Sequence, residues 1–284
     1  MRPFGTRSGH VLNAVKTPDL NNLPKTAPDD RIYAIGDIHG RFDLLTTLLD
    51  DIREHSRTLR ANKNRRIVVL GDMIDRGERS REVLECLYRE QRRRKVIVLL
   101  GNHEEIMLRA IDGEPGTMRN WLRFGGSATL RSFDIDPPSA REDFDPGALA
   151  RKLRDAMPEK WLEWLRSRPI SARSGDYLFC HAGVRPGTPI ASQKRSDMLW
   201  IRDEFLHSEE SHGVVVVHGH SISPDVELRH NRIGIDTGAY RTGMLTAAYL
   251  EGRTCGIMST GSPPLVNDVG VVLEPLGPIE KQRA

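Results

Sequence analysis

Five short segments each end an apolar run in a cluster of Asp, His, Asn and Gly: YAIGDIHG (33–40), VVLGDMIDRG (68–77), IVLLGNHE (97–104), YLFCHAG (177–183) and VVVVHGHS (214–221). Each reads as a buried strand whose carboxyl end releases a metal-type ligand into a tight turn that glycine permits. In open α/β sheets, ligands bind in the crevice beyond the carboxyl ends of the strands. One such segment would be noise. Five of them imply a single centre assembled from across the chain.

Between these segments the spacing turns helical. Phe42, Leu44, Leu45, Leu48, Leu49 and Ile52 follow the first, and Val83, Leu84, Leu87 and Tyr88 follow the second. Apolar strands alternating with helices predict an α/β sandwich with a partly parallel sheet. From about 105 to 172 the texture is that of short helices broken by turns at 112–116 and 136–138, so a helical subdomain inserted within a domain over 31–260 is expected. Trp121, Trp161 and Trp164 sit at helical spacing there, which favours core packing. Strands return at 177–180 and 214–217, and 233–236, 245–250 and 255–258 read as an antiparallel, hairpin-rich continuation. A flexible arm over 1–30 and a weakly structured Pro- and Gly-rich tail over 261–284 complete the expected organisation.

The net charge of +3 over 284 residues is modest, and the basic runs fall at helix ends, where they suit the dipole. No nucleic-acid motif and no run of transmembrane length is present, so neither a nucleic acid nor a membrane is an expected partner. Cys86, Cys180 and Cys255 have no paired spacing, which favours a reducing compartment, the cytoplasm.

Asp37 and His39, two apart on a turn, can point a carboxylate and an imidazole at one ion. Asp72 has two oxygens and can bridge two cations; Asn102 offers an amide oxygen, and His181 and His220 offer imidazole nitrogen. A set of N and O donors without thiolate suits Mn²⁺, Fe or catalytic Zn²⁺ rather than structural zinc. Two cations about 3.5–4 Å apart can clamp the attacking and leaving oxygens of a phosphoryl hydrolysis. Singly, each residue has a plainer reading: Asp37 and Asp72 as helix N-caps, Asn102 as the cap of a helix starting at His103, and each histidine as a hydrogen-bonded core residue. His218, two residues from His220, competes for its place.

The order GDIHG, GDMIDRG, GNHE, HAG and GHS resembles the calcineurin-like metallophosphoesterases, and within them the phosphoprotein phosphatase branch that includes bacterial and bacteriophage serine/threonine phosphatases. The resemblance covers about residues 31–250. It implies two packed sheets flanked by helices, an αββα sandwich, with a dinuclear metal site. Asp37, His39 and bridging Asp72 would hold one ion, and Asp72, Asn102, His181 and His220 the other, which selects His220 over His218. His103 matches the general acid and Asp75 the carboxylate that orients it. Arg76 and Arg202 look like the phosphate-binding arginines, alongside Asn102 and His103, with Arg195 and Arg241 as rivals of Arg202. The implied reaction is direct attack of a metal-bridging hydroxide on a phosphoserine or phosphothreonine monoester, with phosphotyrosine as a further class and a phosphorylated protein or peptide as partner.

Leu100 stands where eukaryotic members usually carry Arg, and their SAPNYC-type loop is absent, so docking of eukaryotic regulatory subunits is not implied. Two rivals remain. A symmetrical dinucleoside tetraphosphate hydrolase would use the same metals, and Glu104 and Arg76 weigh against it. A metal-binding scaffold without catalysis would be expected to have lost a ligand or the acid, and all are present.

Overall fold

The computed structural model of the chain describes residues 23–59, 64–93, 96–139 and 143–260. Residues 1–22 of the expected arm and the expected tail over 261–284 lie outside the described residues. Within the arm's remainder, Lys25–Asp30 is tied to the folded body: Lys25 N donates to Asp176 Oδ2, Thr26 N to Gly252 O, and Ala27 N to Ser174 Oγ.

The first half runs β1 (Asp30–Ile35), α1 (Phe42–Thr58), β2 (Asn64–Val69), α2 (Ser80–Arg92), β3 (Val96–Val98) and α3 (Asn102–Ile111). A helical stretch follows: α4 (Thr117–Trp121), a turn at Leu122–Gly126 kinked at Gly125, α5 (Ser127–Ser132), α6 (Pro146–Ala156) and α7 (Glu159–Arg166). The second half comprises β4 (Ser171–Ser174), β5 (Tyr177–Cys180), α8 (Arg195–Trp200), α9 (Asp203–Leu206), β6 (Val215–His218), β7 (Glu227–Leu228), β8 (Arg232–Gly234) and α10 (Ala239–Thr242). It closes with β9 (Thr246–Glu251) and β10 (Thr254–Ser259).

Two five-stranded sheets result, in the orders β10-β9-β1-β2-β3 and β4-β5-β6-β8-β7. The pairs β1·β2, β2·β3, β5·β6 and β6·β8 are parallel, which sends the carboxyl ends of β1, β2 and β3, and of β5, β6 and β8, the same way within each sheet. Successive side chains of a strand point to opposite faces, so a strand covered on both faces, such as β5, is apolar without a break. Ile32, Ala34, Val68 and Leu70 meet Tyr177, Phe179, Val215 and Val217 in the layer between the sheets. Their neighbours Tyr33, Ile35, Ile67 and Val69 face α1, α2 and the helical stretch, whose Trp121, Trp161 and Trp164 join that core. Leu178, Cys180, Val214 and Val216 pack with Met198, Ile201 and Phe205 on the far side. The strands β1, β5, β6 and β8 are buried along their whole length.

One expected pairing differs. Residues 233–236 do not continue into an antiparallel hairpin with 245–250: β8 lies parallel to β6 in the second sheet, whereas β9 crosses to the first and pairs antiparallel with β1. Period-2 patterning sets which face of a strand is buried but not which sheet it joins. No described helix is long and apolar enough to cross a membrane. The three cysteines are free thiols.

Candidate metal centre

The turns leaving β1, β2 and β3 are knitted together by the backbone. Ile38 N and His39 N both donate to Asp72 O, Gly40 N to Met73 O, and Gly77 N to His39 O. The brace is Glu104 on α3, wholly buried, whose carboxylate accepts from Gly101 N, Asp72 N, Met73 N and Ile74 N at 2.7–3.2 Å. Burial beside Asp72 pushes Glu104 up to about 8, and those four N–H groups work in the opposite direction.

Neither Asp37 nor Asp72 caps the helix that follows it. The cap positions of α1 and α2 belong to Arg41 and Arg79, because an extra turn separates each ligand from its helix. Asn102 opens α3 rather than capping it from outside, and Gly101 takes the cap position. Freed from capping, these side chains converge. The ligand atoms of His39, Asp72 and His103 lie within 4.8 Å of one another, as do those of Asp72, His181 and His220, and Asp72 belongs to both groups. Asn102 Oδ1 joins the second group, 2.7 Å from His181 Nε2 and 3.0 Å from His220 Nδ1. Asp37 lies outside both 4.8 Å groups but abuts them, its two oxygens each accepting from His220 N at 3.1 Å. His103, expected as the acid, falls within the first group.

His218 is not part of the cluster. Its ring stands edge-on to Phe205 at 5.0 Å and its Nδ1 bonds to Gly219 O, on the side away from Asp72. The turn after β6 breaks the strand's alternation, with His220 at φ 64°. Among the described residues, seven non-glycine residues have positive φ, and five of them are His39, Asp72, Asp75, Arg76 and His220. Such strain gathered at one place points to a functional constraint. Two glycines let backbone approach the carboxylates: a Cβ on Gly219 would lie 2.1 Å from Asp37 Oδ1, and one on Gly101 2.2 Å from Asp72 Oδ1.

The donor set fits cations. His39 Nδ1 is held by Ile74 O at 2.8 Å and His181 Nδ1 by Leu70 O at 3.1 Å, which fixes the tautomers and leaves each Nε2 with a bare lone pair. Burial holds His39 down at about 3 and His220 at about 2, and lowers His181, so all three are neutral. His181 Nε2 then faces Asn102 Oδ1 and, at 3.4 Å, Asp72 Oδ1: lone pair against lone pair. His39 Nε2 and His220 Nε2 are buried without a hydrogen-bond partner. Burial, Asp236 and Asp72 raise Asp37 well above the usual carboxylate range. A positive charge between these converging oxygens and ring nitrogens would satisfy them.

Beside the shared carboxylate stands the expected acid. Asp75 Oδ2 accepts from His103 Nδ1 at 2.6 Å, and Asp75 is itself held by Trp121 Nε1 at 2.9 Å and Thr129 Oγ1 at 2.6 Å. Burial works to lower His103, but Asp72 and Asp75 outweigh it and raise its pKa. Arg76 points one guanidinium nitrogen at His103 Nε2, 3.1 Å away. Arg202 is exposed, and its charge bears on His181 and His220; Arg195 is engaged by Glu105 at 2.9 Å, and Arg241 is exposed on α10.

Trp121 was expected as core and is buried, yet its indole N–H also serves Asp75. Asp236 and Tyr240 carried no expected role. Asp236 is buried, with Oδ1 accepting from Gly238 N and Oδ2 without a partner, and burial raises it to about 6. The run IGIDTG (233–238) bears the same strand-then-Asp-Gly signature as the five others, and that signal could have found it.

A two-sheet sandwich with acceptor-only clusters of Asp, His and Asn at its strand ends is the architecture of a metallophosphoesterase, a hydrolase. The chain belongs to the calcineurin-like phosphoesterase family, whose profile matches residues 30–245. That family implies divalent metal ions. Its relatives include serine/threonine-protein phosphatase 2 of Escherichia coli, 27% identical over 224 residues, 76% of this chain and 90% of that protein. A symmetrical bis(5'-nucleosyl)-tetraphosphatase of Neisseria meningitidis is 31% identical over 154 residues, 54% of this chain; the match spans 44% of that protein, less than half its length. Among solved structures, a putative diadenosine tetraphosphatase superposes with a TM-score of 0.56 at 20% identity over 85% of this chain and 98% of that one, a likeness of fold.

Proposed function

We propose that the protein is a metal-dependent phosphoprotein phosphatase hydrolysing phosphoserine and phosphothreonine monoesters, with phosphotyrosine within its range, in the reducing cytoplasm. The observation that carries this reading is the Asp75–His103–Arg76 constellation set against the carboxylate common to both ligand groups. Asp37, His39 and Asp72 would hold one ion, and Asp72, Asn102, His181 and His220 the other; Mn²⁺ suits this nitrogen and oxygen set. When bound, two divalent cations acidify a water and offset charge on the phosphoryl oxygens.

The chain's own residues supply the rest. The planar fork of Arg76, with Arg202, Asn102 and His103, binds the phosphoryl oxygens. As Arg76 turns to the phosphate it frees the His103 Nε2 lone pair, which takes a proton from solvent, and Asp75 favours the resulting imidazolium. Held by Asp75 at Nδ1, His103 is then placed to give the Nε2 proton to the departing alkoxide. Strained turns and the Glu104 brace keep these groups in place before substrate arrives.

Over the symmetrical tetraphosphatase the reading is supported by a longer likeness to a protein phosphatase, 76% of this chain against 54%, while an asymmetrical tetraphosphatase matches over 80% at a lower identity of 24%. The higher identity of the symmetrical tetraphosphatase match keeps a second reading alive, a symmetrical dinucleoside tetraphosphate hydrolase. Rates on a panel of phosphopeptides and on diadenosine tetraphosphate, with Mn²⁺, Fe²⁺, Zn²⁺ and Mg²⁺ in turn, decide between them. Preference for the phosphopeptides and highest turnover with Mn²⁺ are expected; preference for the dinucleotide would overturn the assignment.

A further inference from the structure

Among the described residues, two large apolar side chains are left exposed, Phe124 at 46% and Ile222 at 40%, and both border the candidate metal centre. Phe124 lies in the kinked turn Leu122–Gly126, where Gly125 leaves helical backbone at φ 114° between α4 and α5. The turn packs directly on the catalytic arginine. Gly125 O accepts from Arg76 N at 3.2 Å, and a Cβ on Gly125, at φ 114°, would lie 2.8 Å from Arg76 Cγ. Gly126 is equally constrained, since its Cβ would meet the Trp121 indole at 2.5 Å. That indole holds Asp75. One glycine pair therefore fixes the kinked turn against Arg76 and against the support of Asp75, and the turn presents the Phe124 ring 6.3 Å from the His103 ring at 66°.

On the other flank, the Tyr240 ring lies 4.7 Å below the Arg76 guanidinium and edge-on to His39 at 5.4 Å. Ile222 packs on Gly238, at the start of the helix that bears Tyr240. Apolar surface thus lies beside both groups, the Tyr240 ring against the Arg76 guanidinium and the Phe124 ring against the His103 imidazole. Exposed apolar surface beside convergent polar groups marks where a ligand's apolar part rests. Tyr240 is covered by Arg76. Phe124 offers an open face, and it does so next to His103, where the departing group must lie to receive its proton.

We propose that Phe124 reads the leaving group of the substrate and favours a flat aromatic one, so that the site takes aryl phosphate monoesters, such as phosphotyrosine side chains, over alkyl ones. The inference rests on His103 serving as the acid for a monoester. An aromatic leaving group meets the Phe124 ring edge-to-face or offset, a geometry in which ring pairs attract beyond their buried area. An alkyl leaving group reaches the same proton without that contact.

Binding of phenylphosphonate and methylphosphonate, non-hydrolysable analogues, is measured by calorimetry on the Mn²⁺-loaded protein and on Phe124→Ala and Phe124→Tyr. The wild-type protein is expected to bind phenylphosphonate about tenfold more tightly than methylphosphonate. Phe124→Ala brings that ratio close to one, and Phe124→Tyr restores it. A purely structural role for Phe124 would move both constants together and leave the ratio alone. An unaltered ratio in Phe124→Ala, or a wild-type ratio near one, overturns the proposal, as does failure of both phosphonates to bind. Because the readout is binding, it decides the role of Phe124 even if the dinucleotide proves to be the better substrate, the outcome that defeats the protein phosphatase reading. On phosphopeptides, the phosphotyrosine-to-phosphoserine ratio of kcat/KM should fall about tenfold in Phe124→Ala.

Discussion

The two sheets contribute to the centre in different ways. The first supplies Asp37, His39, Asp72, Asp75, Arg76, Asn102 and His103 on loops that bond to one another and to Glu104. The second supplies His181 and His220, and both are held by atoms of the first: His181 Nδ1 by Leu70 O, and His220 N by Asp37. The first half is preorganised by its own contacts, whereas the second takes its place only when the sheets pack through the layer of Ile32, Val68, Phe179 and Val217. The Asp72 group that stays within the first sheet, and the one that spans both, should therefore respond differently to damage.

Asp72→Asn strikes the element the halves share and should have the largest effect. Bound metal, counted by plasma emission, falls from two ions per chain to fewer than one, and turnover falls by about a thousandfold or more, the several kcal/mol that paired cations supply. Retention of two ions would separate the halves entirely. His103→Ala asks whether the first sheet's extra histidine is acid or ligand. Turnover of p-nitrophenyl phosphate should fall about a hundredfold or more with two ions still bound, and a loss of one ion instead would make it a ligand.

Asp75→Asn removes a negative charge that favours the His103 imidazolium. The imidazole's pKa then falls, its proton is lost at lower pH, and the alkaline limb of the kcat profile moves towards acid. A loss in kcat of about ten- to a hundredfold should accompany the shift. An unmoved limb would detach Asp75 from the acid. Glu104→Gln is expected to act on stability first: its amide cannot accept from all four backbone N–H groups, and denaturant unfolding should show about 1–3 kcal/mol of destabilisation. An unchanged midpoint would mean that the first sheet's loops hold without their brace.

How much of this was legible in the sequence follows the same division. Asp37, His39, Asp72, Asn102, His181 and His220 stand at the ends of apolar runs beside glycines, and the five runs foretold strands whose ends face one crevice. Phe124, Trp121 and Thr129 left no such trace. They reach Asp75, Arg76 and His103 across more than 20 positions of chain, and a kink between two short helices has no periodicity to read. Glu104 was visible only as a letter in GNHE; four N–H groups aimed at one carboxylate exist only once the turns are folded. The parallel placement of β8 was hidden because two-residue alternation looks alike in either sheet.

Sharing one carboxylate between two ligand groups ties their occupancies thermodynamically. An ion held against His39 would orient Asp72 and change the affinity at His181 and His220, and an ion held there would change the affinity at His39 by the same factor. Titration with a single metal should then deviate from two independent sites, and substituting a different metal at one position would retune the other without any contact between them.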